Sequence, residues 1–306
     1  MKFGILPPII TAFPTRVRPW ELTAPPETSG RIARKADELG YDWLMCPDNI
    51  VMPLANLASH GPRWSETLTS LAFFAGATTR IRVVPTVLAL PYRAPVFTAK
   101  AIATIDFLSG GRLTLGIGSG GVESEFRALK IPWEERGAIT DEYLAAMKEL
   151  WTSDEPRFNG RYIQFEAIAF EPRPLQKPHP PIWVGGYGSR RSMLRAVNAG
   201  DGWVPSRLPP EELPECLAFI REQPAYQERT SPFEVVMPLL RLQHSATGYV
   251  AEPFDPKGVV ERLHLLREVG VTGVSIASFG ETASLDEYLE RLEWFAAEIM
   301  PQFRNS

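Results

Sequence analysis

Alternation constrains this chain more than any other feature. Eight short apolar runs with strand character recur, each followed by a helical stretch or by a long loop leading into one. The runs are Phe3 to Leu6, Asp42 to Cys46, Ile81 to Leu88, Leu113 to Ile117, Ile182 to Val184, Gly202 to Val204, Glu234 to Leu240 and Gly273 to Ala277. Helical patterns span Thr28 to Leu39, Trp64 to Ala77, Ala94 to Phe107, Ile139 to Trp151, Arg190 to Ala199, Pro210 to Glu222, Lys257 to Val269 and Leu285 to Ile299. In Lys257 to Val269 the apolar residues Val259, Val260, Leu263, Leu266 and Val269 fall at helical spacing and define one buried face. Gly40, Gly200 and Gly270 stand between a helix and a strand, where a left-handed residue ends a helix at low cost. Eight such βα units favour a closed parallel barrel, the (β/α)8 TIM barrel of the α/β class, over an open doubly wound sheet. The expectation is one barrel domain over residues 1–306, a size that a length prior of about 150 residues per domain would otherwise divide in two.

The 29 prolines and 23 glycines are scattered, as in Leu6-Pro7-Pro8, Ala24-Pro25-Pro26 and His179-Pro180-Pro181, so they punctuate regular elements and make no disordered tract. Two stretches exceed the minimal repeat. Pro47 to Arg63 is a long loop carrying His60, and Pro156 to Lys177 contains the hairpin-like run Arg157 to Tyr162. Both read as insertions at the C-terminal face, as lids or pocket walls, with a homodimer contact an equal alternative for the first.

Lys plus Arg number 32 against 36 Asp plus Glu, a formal charge of −4, and basic residues cluster no further than pairs such as Arg190-Arg191. That balance offers no field for nucleic acid or an anionic membrane. No apolar run approaches the roughly 20 residues of a membrane span, and Met1 to Gly4 leads directly into a strand, so a cytoplasmic protein is expected. Cys46 and Cys216 lack metal-ligand spacing, and neither a zinc site nor a disulfide framework is expected.

In a barrel, chemistry belongs at the C-terminal strand ends. There the sequence places Cys46-Pro47-Asp48-Asn49, then Thr86 to Arg93, then Gly116-Ile117-Gly118-Ser119-Gly120-Gly121-Val122-Glu123, then Gly185-Gly186-Tyr187-Gly188-Ser189. Glycine lets a ligand approach the backbone, and the helix opening at Arg190 offers free N–H groups to a phosphate, with Ser189 as N-cap or phosphate donor. A tight βα turn with a capped helix explains the same residues equally well. Gly118 to Gly121 fits neither the dinucleotide nor the P-loop spacing.

The run Thr79 to Pro95, then Ala103-Thr104-Ile105-Asp106-Phe107-Leu108-Ser109-Gly110-Gly111-Arg112, Ile131-Pro132-Trp133, Pro180-Pro181-Ile182-Trp183-Val184-Gly185-Gly186 and Gly200-Asp201-Gly202-Trp203 resembles the bacterial-luciferase-like monooxygenase superfamily over most of the chain. Lys2 to Pro7, with Gly40 to Asp48, is similar to its branch of deazaflavin (coenzyme F420)-dependent oxidoreductases. The resemblance implies a barrel holding F420 or FMN with its ring in the mouth. It implies a non-proline cis peptide after strand three, at Thr86-Val87, against the back of that ring. It also implies a cofactor phosphate against Ser119, Gly120, Gly121, Gly185, Gly186, Tyr187 and Gly188.

The departures fall at the chemistry. Many relatives carry Asp-His after strand two, where this chain has Asp48-Asn49, and asparagine orients by hydrogen bonds but does not titrate. The glutamate that deazaflavin sugar-phosphate dehydrogenases place after strand four is Gly121 here. Glu123 and His60 are alternatives, although Glu123 reads better as a helix N-terminal charge and His60 as a loop residue. Asp48 and Asn49 are therefore the candidate catalytic residues. Phe13, Tyr92 and Arg207 are the candidate substrate contacts, with Arg93 read as structural and Trp43, Trp183 and Trp203 as core. Three activities follow. The favoured one is hydride transfer between F420 and a small organic substrate. The others are a two-component monooxygenase fed FMNH2 by a separate reductase, and a flavin-binding relative without catalysis.

Overall fold

A computed structural model describes residues 1–14, 16–206, 208–239, 242–245, 248–251 and 255–304, with 242–245 and 248–251 described by backbone alone. Nine parallel segments make the sheet: β1 (Lys2–Ile5), β2 (Trp43–Cys46), β3 (Arg82–Pro85), β4 (Leu88–Ala89), β5 (Leu115–Gly118), β6 (Ile182–Gly186), β7 (Gly202–Pro205), β8 (Glu234–Pro238) and β9 (Gly273–Ile276). Their order is β3-β2-β1-β9-β8-β7-β6-β5-β4. The two edges, β3 and β4, are successive halves of one barrel strand, interrupted at Thr86-Val87. A bridge between Val83 and Leu113, made by Val83 N–H to Arg112 O at 3.0 Å and Thr114 N–H to Val83 O at 3.1 Å, joins the third strand to the chain entering β5. The strands thus form the ring of eight that the alternation predicts, the (β/α)8 barrel.

Eight helices cover it: α1 (Glu27–Glu38), α2 (Thr67–Ala77), α3 (Pro95–Leu108), α4 (Arg136–Thr152), α5 (Arg190–Ala199), α6 (Leu213–Arg221), α7 (Pro256–Glu268) and α8 (Leu285–Trp294). Several begin on side-chain caps. Ser189 accepts from Ser192 N–H at α5, Asp255 from Lys257 and Gly258 N–H at α7, and Ser284 from Glu287 N–H at α8. Gly40 and Gly270 end helices with φ of +78° and +100°, as expected. Gly200 does not, because its φ is −127°. Glycine is needed there for space, since a Cβ would lie 3.0 Å from the carbonyl oxygens of both Ala196 and Ile182.

Period-two alternation divides the strand side chains between two cores. Phe3, Ile5, Leu44, Val83, Leu115, Ile117, Ile182, Val184, Trp203 and Val274 face the helices. Trp43, Met45, Val84, Trp183 and Val236 fill the barrel, where Trp43 and Trp183 meet edge to face with centroids 4.8 Å apart. Glycines opposite make room for the two indoles: a Cβ on Gly273 would come within 2.6 Å of Trp43, and one on Gly202 within 2.7 Å of Trp183. The core reading of Trp43, Trp183 and Trp203 follows the sequence.

Of the two insertions, residues 47–63 leave a strand end and fold into a 3-10 turn (Leu54–Asn56) and a short helix (Leu57–His60). Residues 156–177 instead leave the end of α4, and their hairpin (Phe158–Asn159 with Gln164–Phe165) is fastened along that helix. The Glu142 carboxylate accepts the N–H groups of Arg161, Tyr162 and Ile163 at 2.9, 2.6 and 2.9 Å, which puts the hairpin on the flank of the barrel. A further antiparallel pair, Leu242–Ser245 with Gly248–Ala251, follows β8 without a sequence expectation and runs beside the helix Leu57–His60.

Candidate functional site at the barrel mouth

The mouth is built from the bulge outward. The Thr86-Val87 peptide is cis, as the resemblance implies. The Val87 side chain occupies space that two neighbouring strands leave by carrying glycine. A Cβ on Gly118 would come within 2.6 Å of Val87 Cγ2, and one on Gly185 within 2.7 Å of Val87 Cγ1. Thr86 Oγ1 is buried beside it and has no hydrogen-bond partner among the described residues. An unmet buried hydroxyl costs about 1–3 kcal/mol and marks a place where a ligand atom would be welcome. Asn49, Thr86, Val87, Ser119, Gly185, Gly186, Val204, Ser206 and Ala277 are partly solvent-exposed around it, so the strand ends open outward.

The two glycine-rich loops lie side by side. Gly120 has φ of +79°, and a Cβ on Gly121 would sit 3.6 Å from Tyr187 Oη of the neighbouring loop. Gly186 lies directly over the first turn of α5, where a Cβ would clash with Ser192 at 2.4 Å. Gly188 takes φ of +74°, and Ser189 caps α5. Arg195, on the next turn of α5, donates to Ser119 Oγ at 3.3 Å while Asp141 holds it at 2.5 Å. Close-approach glycines, a helix N-terminus and a fixed arginine on Ser119 suit a phosphate. Ser119, Gly120, Gly121, Gly185, Gly186, Tyr187 and Gly188 are thus gathered in one place.

Asp48 and Asn49, adjacent in sequence, have different surroundings. The Asp48 side chain is 0% exposed. It accepts from Arg93 Nη1 and Nη2 at 2.8 and 2.7 Å, from Ala89 N–H at 3.0 Å and from the Thr67 hydroxyl at 3.0 Å. Arg93 also donates to Glu66, and these two carboxylates hold its guanidinium above the usual arginine range against the opposing effect of burial. The structural reading of Arg93 therefore extends to Asp48, whose carboxylate ties the β2 loop to β4 and α2. Asn49 is half-exposed, and its amide makes no hydrogen bond among the described residues.

Tyr92, expected at the pocket wall, is 7% exposed and packs edge to face on Phe126 at 5.1 Å. Its hydroxyl donates to Glu125 Oε2 at 2.9 Å, and it stands behind the Gly120 turn. Phe13 is half-exposed, set edge to face against Trp64 at 4.9 Å with the His60 ring 6.0 Å away. Arg207 lies outside the described residues.

Sequence reasoning missed three residues. Glu125 is 0% exposed, and its Oε1 accepts the N–H groups of Ile50 and Val51 at 2.6 and 3.1 Å, fastening the 47–63 insertion. Burial pushes its pKa up despite those donors. Glu123, by contrast, is an exposed partner of Arg127. The available signal was helical phase, because Glu125 stands four residues before Leu129 on one face of its helix, whereas Glu123 does not share that face with Leu129. Arg195 and Arg16 are the other two.

Residues 7–243 match the luciferase-like monooxygenase family. The chain belongs to it. Among relatives, the FMNH2-dependent dimethylsulfone monooxygenase of Pseudomonas putida is 37% identical over 174 residues, 56% of this chain and 46% of that protein. Among solved structures, monooxygenase RslO1 from Streptomyces bottropensis superposes with a TM-score of 0.81 at 24% identity, covering 99% of this chain and 100% of the other. An F420-dependent secondary alcohol dehydrogenase bound to an F420-acetone adduct gives 0.76 at 18%, covering 99% of each. This luciferase-like chain is accordingly an enzyme of the oxidoreductase and monooxygenase class. Among its described residues, no helix is long and apolar enough to cross a membrane, and no cluster of three metal-binding side chains occurs.

Proposed function

We propose that this luciferase-like enzyme is an FMNH2-dependent monooxygenase acting on a small, partly apolar organic substrate, with reduced flavin supplied by a separate reductase. The observation that carries this reading is the engagement of Asp48. Hydride exchange between an alcohol and a carbonyl needs a group that moves a proton at the substrate oxygen. At the end of β2 the carboxylate is held by Arg93, Thr67 and Ala89, and its neighbour is an amide. The likeness to the dimethylsulfone monooxygenase supports the same choice.

The residues present fit a flavin. Ser119, Gly120, Gly121, Gly185, Gly186 and the α5 N-terminus would hold the phosphate, with Arg195 steadying Ser119. Val87 would support the ring from behind, and the Thr86 hydroxyl and Asn49 amide would meet polar atoms of ring or substrate. Bound reduced flavin supplies the electrons with which dioxygen is divided between substrate and water. Asn49 orients by hydrogen bonds without titrating, and the 47–63 insertion, latched by Glu125, screens the mouth from water.

The F420 reading keeps one specific support, His60. This histidine stands by Phe13, and its Nδ1 lies 2.7 Å from Ser59 Oγ, whose proton goes to Asn56 O at 3.1 Å.

Reconstitution with FMN, a flavin reductase and NADH under 18O2, against aldehydes, cyclic ketones and sulfones, separates the two. Incorporation of label into product supports the proposal. Product formed without oxygen, on reduced or oxidised F420, refutes it.

A further inference from the structure

The loop after β1 holds two arginines and one carboxylate. Arg18 is 5% exposed and both of its Nη atoms are engaged, pairing with Glu21 at 3.2 Å and donating to Ser278 Oγ and to Gly280 O after β9, while its Nε has no partner among the described residues. Glu21, the only carboxylate in the group, makes its ion pair with Arg18 and reaches Arg16 only as a weaker, longer-range attraction.

Arg16 is left over. It is half-buried, its guanidinium stacks on the Phe13 face with the carbon 3.9 Å from the ring centroid, and that guanidinium makes no hydrogen bond or ion pair among the described residues. Burial, reinforced by the Arg18 charge, pulls its pKa down to about 10, so the loop holds a cation that gains from a bound anion. A guanidinium flattened on an aromatic ring, with its N–H edge unused, is preorganised for a planar or trigonal oxyanion. Phe13 in turn meets Trp64, which supplies an apolar wall next to the charge.

We infer that Arg16, with Phe13 and Trp64, forms an oxyanion subsite at the mouth that recognises the carboxylate or sulfonate of the organic substrate. This deepens the proposed function and rests on that reading for the word substrate. The anion-binding claim can be tested without turnover.

The probes are sodium benzoate and sodium benzenesulfonate, with benzamide as the neutral control, followed through tryptophan fluorescence of the full chain. The anions should bind at least about tenfold more tightly than benzamide, about 1.4 kcal/mol. Arg16→Gln should abolish that preference, and Arg16→Lys should retain part of it. Retention in the lysine variant separates lost charge from lost folding. FMN affinity should stay within about twofold in both variants.

Equal binding of anions and benzamide to the wild type overturns the inference, as does an unchanged preference in Arg16→Gln. Loss of FMN or F420 affinity in Arg16→Gln, with probe binding intact, also overturns it and assigns Arg16 to the cofactor. A failed 18O2 experiment alongside anion selectivity that depends on Arg16 would refute the monooxygenase reading alone.

Discussion

Removing the Asp48 carboxylate should damage the fold before it damages any chemistry. The group is completely buried and is met by both Arg93 Nη atoms, Ala89 N–H and the Thr67 hydroxyl. Breaking a buried ion pair by deleting one partner costs about 3–5 kcal/mol. Arg93 keeps Glu66 at 2.8 Å, so the expected cost of Asp48→Ala lies near the lower end, about 3 kcal/mol. Asp48→Asn preserves the shape, but its NH2 must face a donor, either Arg93 or Ala89 N–H, and about 2 kcal/mol is expected. Because Asp48 and Arg93 touch, the Asp48→Ala/Arg93→Ala cycle should show a coupling of about 2 kcal/mol.

Urea unfolding at pH 7, read by circular dichroism and tryptophan fluorescence, measures the wild type and all four variants. Asp48→Ala within about 0.5 kcal/mol of wild type, or a coupling near zero, would refute the positioning role. So would a pH–rate profile in which Asp48→Asn erases one limb while stability is untouched, because that is the behaviour of a proton-transfer group.

Two carboxylates should give opposite pH dependence. Asp37 takes the N–H groups of Thr79, Arg80 and Ile81, and these outweigh its burial and hold its pKa below the usual value. Its contribution is present above the unfolded carboxylate pKa and lost as pH falls, so Asp37→Asn should cost about 2 kcal/mol at pH 7 and progressively less below about pH 4, by urea titration. Burial raises Glu125, so its contribution is full in acid and fades as pH rises through the folded pKa. Glu125→Gln should therefore gain on wild type in Tm as pH rises above the unfolded carboxylate pKa of about 4, and a difference that shrinks with rising pH contradicts the assignment. Gly185→Ala puts a Cβ 2.7 Å from Val87 Cγ1. It should cost about 1–3 kcal/mol and weaken FMN binding in an equilibrium titration, whereas unchanged FMN affinity would mean that Val87 does not support the ring.

The eight strands and eight helices were legible because each buries one face, and burial writes a period of 2 or 3.6 into the sequence. Gly200 was misread because composition marks a glycine without saying whether it answers a dihedral or a contact. Here the oxygens of Ala196 and Ile182 decide. The hairpin 158–165 was legible as a hairpin but not in position, which depends on its leaving a helix end and on three backbone donors reaching Glu142. At the mouth, the glycine loops could be read from residue type, since little but glycine allows such close backbone approach. Partnership could not. Asp48 and Arg93 are 45 residues apart, and Glu125 lies 75 from Ile50. Nothing local distinguishes a carboxylate facing a substrate from one closed by a distant guanidinium or loop.

That difference sets the electrostatics of the site. The chain carries a net −4, yet three buried acids beside the mouth are each occupied: Asp48 by Arg93, Glu125 by the N–H groups of the 47–63 insertion and Tyr92, and Glu21 by Arg18. What is left without a partner among the described residues is an amide at Asn49, a hydroxyl at Thr86 and the Arg16 guanidinium, beside the glycine-rich loops with Arg195 on Ser119. These are neutral donors and cations, the set that favours anionic ligands and oxygen acceptors. Global acidity and a locally electropositive mouth are compatible because the surface acids are solvated and screened within about 10 Å at ordinary salt, while buried groups are screened far less.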